Sequence, residues 1–207
     1  RQSARTHTGE AIEPAVMKQL TDACARLDRG FLGEAARFEI IEKPFVRGAK
    51  VRLGNYGLQK NPRYFFAGAV KQSEMARQSY GFLMEHLVLK ATELGLGTCW
   101  IGFFDRKFFE NFKVASDELF PAACTVGHAA DRRLFEKISR AAIRADQRKS
   151  PESLFFAEDF SRPLPPSEDP SYREALEMVR LAPSSGNSQP WRVVRDKSGP
   201  VYHFYMN

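Results

Sequence analysis

The sequence is poor in the residue types that most often announce a function. It has three cysteines, Cys24, Cys99 and Cys124, odd in number and widely spaced. That argues against a disulfide framework or a zinc site and fits a reducing cytoplasm. The four histidines, His7, His86, His128 and His203, have neither metal-ligand spacing nor an adjacent carboxylate motif. No cysteine sits beside a recognisable partner base. No apolar run approaches the ~20 residues that span a bilayer. The chain opens on the polar stretch Arg1-Gln2-Ser3-Ala4-Arg5 rather than an apolar leader, so no signal peptide is expected. The missing initiator methionine and the stop just after a strand-like segment suggest a trimmed sequence. Acidic residues are also short, and the net charge is +6.

What remains is the composition of a globular domain. The chain has 207 residues, 43% hydrophobic and 27% charged, enough for one buried core or two packed halves. Between Arg132 and Lys149 there are seven basic and two acidic residues, so five of the six excess charges lie there. Arg133, Lys137, Arg140, Arg144 and Arg148 recur at helical spacing. A nucleic-acid surface and a solvated basic helix face both account for this stripe. No aromatic beyond Phe135 interleaves with it, and Ile138, Ala142 and Ala145 read as a buried opposite face. The solvated face is the better reading, and no nucleic-acid partner is expected.

Glu13-Pro14 opens a helix with proline in its first turn, and Val16, Leu20, Cys24 and Leu27 form its apolar stripe. Residues 37–41 and 64–70 read as strands. Residues 80–94 read as a helix apolar nearly all round, which belongs in the middle of a protein, with Gly95 as its C-cap. A buried strand over 122–126 precedes a basic helix over about 132–146. Five prolines between Pro151 and Pro170 predict an extended arm. Ser171-Tyr172-Arg173-Glu174 is a capping box that starts a second helix, with Ala175, Leu176, Val179 and Ala182 inward. Strands follow at 191–195 and 201–206. The pattern predicts an α+β fold, a mixed and mostly antiparallel sheet flanked by helices around the buried one at 80–94.

The most informative segment lies between that second helix and the strand at 191. In Ala182-Pro183-Ser184-Ser185-Gly186-Asn187-Ser188-Gln189-Pro190-Trp191, two prolines stiffen the loop and Gly186 allows a positive φ. Its hydroxyl and amide groups suit a polar, planar ligand. The run resembles the flavin-contacting loop of the nitroreductase family, the FMN-dependent NAD(P)H oxidoreductases. Three further segments are similar to that family in its chain order: Arg1-Gln2-Ser3-Ala4-Arg5 followed by Ile12-Glu13-Pro14; Leu94-Gly95-Leu96-Gly97-Thr98-Cys99-Trp100-Ile101-Gly102; and Asp146-Gln147-Arg148-Lys149-Ser150-Pro151. The glycine pair follows a helix and enters a strand, unlike a dinucleotide-binding loop, which follows a strand and opens a helix.

The resemblance implies FMN as cofactor and NAD(P)H as electron donor. A nitroaromatic, quinone or similar small molecule is the implied acceptor, reduced by a ping-pong hydride transfer. It implies that Arg1 and Ser3 hold the phosphate and ribityl chain and that Arg5 lies near the pyrimidine end, where a cation stabilises reduced flavin. Trp100, Ile101 and Gly102 pass beside the flavin, a backbone N–H near Ile101 serving its N5. Arg148 and Lys149 face the phosphate, although a basic linker accounts for Lys149 equally well. Pro183, Ser184, Ser185 and Asn187 fix the ring. In Leu53-Gly54-Asn55-Tyr56-Gly57-Leu58-Gln59-Lys60, Asn55 and Lys60 are candidate flavin contacts, or the glycines only shape a turn.

One departure matters. In ordinary members the Pro-Ser-Ser-x-Asn loop follows the first helix, where this chain has Arg26-Leu27-Asp28-Arg29-Gly30-Phe31. The arrangement is similar to the fused, pseudo-dimeric type. Residues 1–160 then form the first part and 161–207 a proline-rich arm with a partial second copy that completes the flavin site, in a monomer. A non-catalytic FMN-binding or storage protein is the alternative, keeping the cations without NAD(P)H oxidation.

Overall fold

The computed structural model describes residues 1–44, 50–51, 59–132, 134–165 and 167–206. The chain divides into two compact units, 1–133 and 134–207. The sequence alone places a functional boundary later, at 160/161.

The first unit is built around β4 (Tyr64–Lys71), whose Tyr-Phe-Phe-Ala-Gly-Ala-Val run is buried on both faces. It pairs with β1 (Ala36–Glu42) on one side and β7 (Ala123–Gly127) on the other, and β7 carries β5 (Gly97–Ile101). The short β6 (Glu118–Leu119) adds to the end of β4, and all of these pairings are antiparallel. A separate ribbon joins β2 (Lys50–Val51) to β3 (Gln59–Lys60). Alternation along the strands sends side chains to two cores. On one face, α1 (Pro14–Arg26) and α2 (Ala76–Glu93) bring Leu20, Cys24, Met84, Leu87 and Val88 against Phe66, Cys124 and Val126. On the other, Phe65, Ile101 and Ala123 meet Phe109, Phe112 and Phe120, whose rings pack edge-on.

The reading of α1 holds in detail, with Pro14 in the first turn and Arg26 in the last. That of α2 needs a correction. The helix is not enclosed all round: Phe82 and Leu89 are 50% and 53% exposed, on a stripe with His86 and beside Phe31. Pattern alone marks a position as apolar, and packing decides which of those positions a neighbour covers. Gly95 takes a positive φ of 77° just beyond the helix.

In the second unit, β9 (Trp191–Arg195) pairs antiparallel with β10 (Tyr202–Met206) and parallel with β8 (Phe155–Ala157). The sequence reading treated β8 as part of a proline-rich arm. Three residues show too little alternation to be seen, and their pairing partner lies far along the chain. The basic helix α3 (Leu134–Ala142) ends earlier than expected, and Arg144, in left-handed conformation at φ 49°, follows it. Ile138, expected inward, is 59% exposed, and Ala142 is exposed as well. Arg144 and Arg148 therefore lie beyond the helix that carries Lys137 and Arg140. In α4 (Arg173–Leu181), Leu176 and Val179 pack inward as expected, while Ala175 is exposed. The expected capping box does not form, because Tyr172 takes the N-cap position without a side-chain bond. Asp169 fastens the arm, pairing with Arg195 at 2.9 Å and accepting a hydrogen bond from the Tyr202 hydroxyl.

Among the described residues no helix is long and apolar enough to cross a membrane, and no three side chains are grouped to hold a metal ion.

Candidate functional site

The residues singled out in the sequence fall into two clusters, one in each unit. In the first unit, residues 3–8 run as an extended arm. Ser3 bridges Thr98 in parallel, and the Ala4 N–H donates to the Thr98 carbonyl at 2.8 Å. Further along, the Lys60 N–H donates to Arg5 O at 2.9 Å and the His7 N–H to Lys60 O at 3.0 Å. The absence of a side chain at Gly97 permits this approach. A Cβ there would come within 2.7 Å of the Ala4 Cβ and 2.9 Å of the Ala129 Cβ. Two distant motifs in the sequence, Arg1–Arg5 and Gly97–Gly102, are thus neighbours by backbone pairing. Lys60 takes part through its main chain, while Asn55 lies outside the described residues.

The Arg1 guanidinium in this cluster is only partly engaged. One terminal nitrogen reaches Ser3 Oγ at a long 3.4 Å, whereas Nε and the other terminal nitrogen are buried with no hydrogen-bond partner. The Thr98 hydroxyl is buried and equally without a partner. Buried donors are ordinarily satisfied, so such groups leave room for a polar ligand to compensate them. An anionic phosphate suits a guanidinium of this kind. Trp100 is half-buried, Ile101 is in the core and Gly102 is exposed at the strand's exit.

Beneath this edge lies a polar patch that sequence reasoning missed. His7 Nε2 is 3.2 Å from Thr125 Oγ1, and Gln59 Nε2 donates to Cys99 Sγ at 3.4 Å. These residues come from four separate segments: the register of β5 on β7 sets Cys99 opposite Thr125, and bridges from the 3–8 arm bring in His7 and the strand of Gln59. The other two thiols are chemically quiet. Burial, aided by Glu39, pushes the Cys24 thiol up to about 12, and burial pushes Cys124 up as well.

In the second unit, Arg148, Lys149, Ser184 and Asn187 come together in a dense hydrogen-bonded knot. Arg148 donates through Nη1 to Ala145 O at 3.0 Å, Gln147 O at 2.9 Å and Asn187 Oδ1 at 3.1 Å. Its Nε and Nη2 each lie 3.3 Å from Leu181 O, at the end of α4, where a cation complements the helix dipole. Asn187 Nδ2 donates to Arg144 O at 2.7 Å and Gln147 O at 3.1 Å. Lys149 is tied twice to Gln189, through its N–H at 2.8 Å and through Nζ at 3.2 Å. Lys149 is therefore anchored here and is no free linker.

The loop itself is bent sharply. Gly186, Asn187 and Gln189 have φ values of 57°, 56° and 47°. Glycine and asparagine tolerate that region, but for glutamine it is unusual. The Ser184 hydroxyl, accepting from the Gln189 N–H at 2.9 Å, and the buried Gln189 amide hold the bend. Gln189 stood in the motif but was not singled out, since nothing in its residue type announces a positive φ. Pro183 and Ser185 remain exposed.

Comparison with known proteins bears on the family and the fold. A family model described as "Putative TM nitroreductase" matches residues 1–206. A "putative nitroreductase" of Thermotoga maritima MSB8 superposes with a TM-score of 0.54 and 22% identity, over 95% of this chain and 69% of that one. A nitroreductase family protein of Clostridium novyi NT gives 0.50 and 21%, over 63% and 82%. A nitroreductase with bound FMN from Desulfitobacterium hafniense DCB-2 gives 0.50 and 16%, over 64% and 87%. At these identities the likeness shows the α+β nitroreductase fold. No curated protein matches significantly.

Proposed function

The chain belongs to the family described as "Putative TM nitroreductase", and on that premise we propose that it is an FMN-dependent NAD(P)H oxidoreductase acting on nitroaromatic, quinone or similar acceptors by a ping-pong route. The observation that carries this reading is the extent of the family match, which runs from Arg1 through the Ser-Ser-Gly-Asn loop to Met206. FMN, which the Desulfitobacterium relative contains, supplies two-electron transfer between a nicotinamide and an acceptor.

The residues present fit that cofactor. The unpartnered N–H groups of Arg1 suit a phosphate, with Ser3 and the Thr98 hydroxyl beside the same backbone bridge. Arg5 would offer a cation for negative charge on a bound flavin, and the main chain at Trp100, Ile101 and Gly102 would offer amide donors. In the second unit, Arg148 and Lys149 hold the shape of the 183–189 loop, so that Pro183, Ser184, Ser185 and Asn187 meet the cofactor in a preset conformation. This reading takes the protein as a monomer.

The test is the visible absorption spectrum of the purified protein, followed by NAD(P)H under anaerobic conditions. A flavin spectrum that bleaches is the expected result. A flavin that persists points instead to FMN storage or another donor, and no flavin after incubation with FMN overturns the reading. Replacing Ser184 and Ser185 together by phenylalanine is expected to abolish FMN retention without unfolding the protein.

A further inference from the structure

Glu85 lies on α2 among residues whose apolar character places them inside, and no motif marks it. Its Oε2 accepts a hydrogen bond from the Trp100 indole N–H at 2.9 Å, with both side chains half-buried. Trp100 is the penultimate residue of β5 and stands opposite Cys124 on β7. Its ring packs on the α2 side of the sheet, whereas Ile101 turns to the other core. Trp100 is thus the last side chain of β5 directed at α2. Beyond it the exposed Gly102 has no side chain to hold the backbone, and no other group approaches its Cα from the side-chain direction.

An indole N–H can only donate, so a buried one needs an acceptor. A carboxylate gives the stronger, charge-assisted bond.

We propose that Glu85 is a positioning residue of the cofactor site, holding the Trp100 indole and through it the exit of β5 at Ile101–Gly102. The inference rests on the FMN reading above. It assigns to Glu85 no contact with the cofactor.

The test is a double-mutant cycle on FMN affinity, with Glu85→Leu and Trp100→Phe made singly and together. Each single change removes one end of the hydrogen bond, and each is expected to weaken FMN binding about tenfold. The double variant is expected to be no weaker than Trp100→Phe alone. Glu85→Gln keeps an acceptor oxygen and is expected to restore affinity to within about twofold of wild type, since amide oxygens accept as well. Should Glu85→Leu not fold, Trp100→Phe and Glu85→Gln still carry the comparison. A Trp191→Phe background makes Trp100 the sole indole, and its emission without FMN is expected to change on Glu85→Leu. Unchanged affinity in Glu85→Leu, or a loss that adds in full to that of Trp100→Phe, overturns the proposal alone. A wild-type protein that binds no FMN overturns the functional reading and this proposal with it.

Discussion

The two units hold their shape by different means. The first surrounds a strand buried on both faces, with α2 and an aromatic cluster on opposite sides. The second has a smaller core of Leu154, Phe155, Ala157, Leu164 and Val193, and no residue of α4 is fully buried. Its candidate loop is shaped instead by polar bonds among Arg148, Lys149, Asn187 and Gln189. Apolar burial tolerates small displacements and yields stability in proportion to area. Hydrogen bonds contribute less net stability but demand a particular geometry. The contrast suits the proposed division of labour: a rigid frame in one unit and a finely shaped loop in the other.

The comparison can be broken by mutation. Leu87→Ala, within the first core, is expected to cost about 2–5 kcal/mol in denaturant unfolding. Val179→Ala on α4 is expected to cost far less, about 1 kcal/mol, because its site is only partly buried. Equal losses would show that the second core bears as much load as the first. Asn187→Ala is expected to cost about 1–2 kcal/mol by removing the Nδ2 bonds to the Arg144 and Gln147 carbonyls and the Oδ1 acceptor of Arg148. Amide exchange should accelerate at Lys149 and Gln189 while β4 stays protected. Faster exchange in β4 would mean that the knot supports the whole chain.

Acid response adds a finer contrast. The Arg37 guanidinium hydrogen-bonded to Glu118 holds that carboxyl below its ordinary value of 4.5. Glu118 therefore contributes stability that is present above 4.5 and is lost as pH falls through the lower folded value. Arg37 is partly open to solvent, so Glu118→Gln should flatten the acid limb by less than about 1 kcal/mol. A limb unchanged in that variant would remove Glu118 from the account.

The smallest expected effect is none at all. All three cysteines are free, buried and in the first unit. With thiolate formation suppressed at Cys24 and Cys124, a thiol reagent at pH 8 should leave these two unlabelled until that unit opens. Labelling in denaturant then reports on the first unit alone, and labelling of the native protein would contradict the burial described.

Much of the frame was legible because strong local patterns and tertiary burial agree. Strands β1, β4, β7 and β9 and helices α1 and α2 all stand where periodicity and turn residues place them. The elements that failed to show were those decided at a distance. The three residues of β8 become a strand only through β9. Ile138 fits an apolar helix face, yet no neighbour covers it. Of the candidate site, the motifs and their order were readable. The pairing of Ser3 with Thr98, the left-handed turn at Gln189 and the bond from Trp100 to Glu85 were not.

By itself, the sequence determined residue chemistry and local preference: the α+β class, the proline and glycine boundaries, and motifs resembling those of the nitroreductase family. The tertiary structure alone decided which of those groups have partners. It engaged Arg148 with the carbonyls of its own unit and left the Arg1 guanidinium with buried donors unmet. The physical reason is that hydrogen-bond satisfaction and burial depend on distances between residues far apart in the chain, which no local pattern encodes.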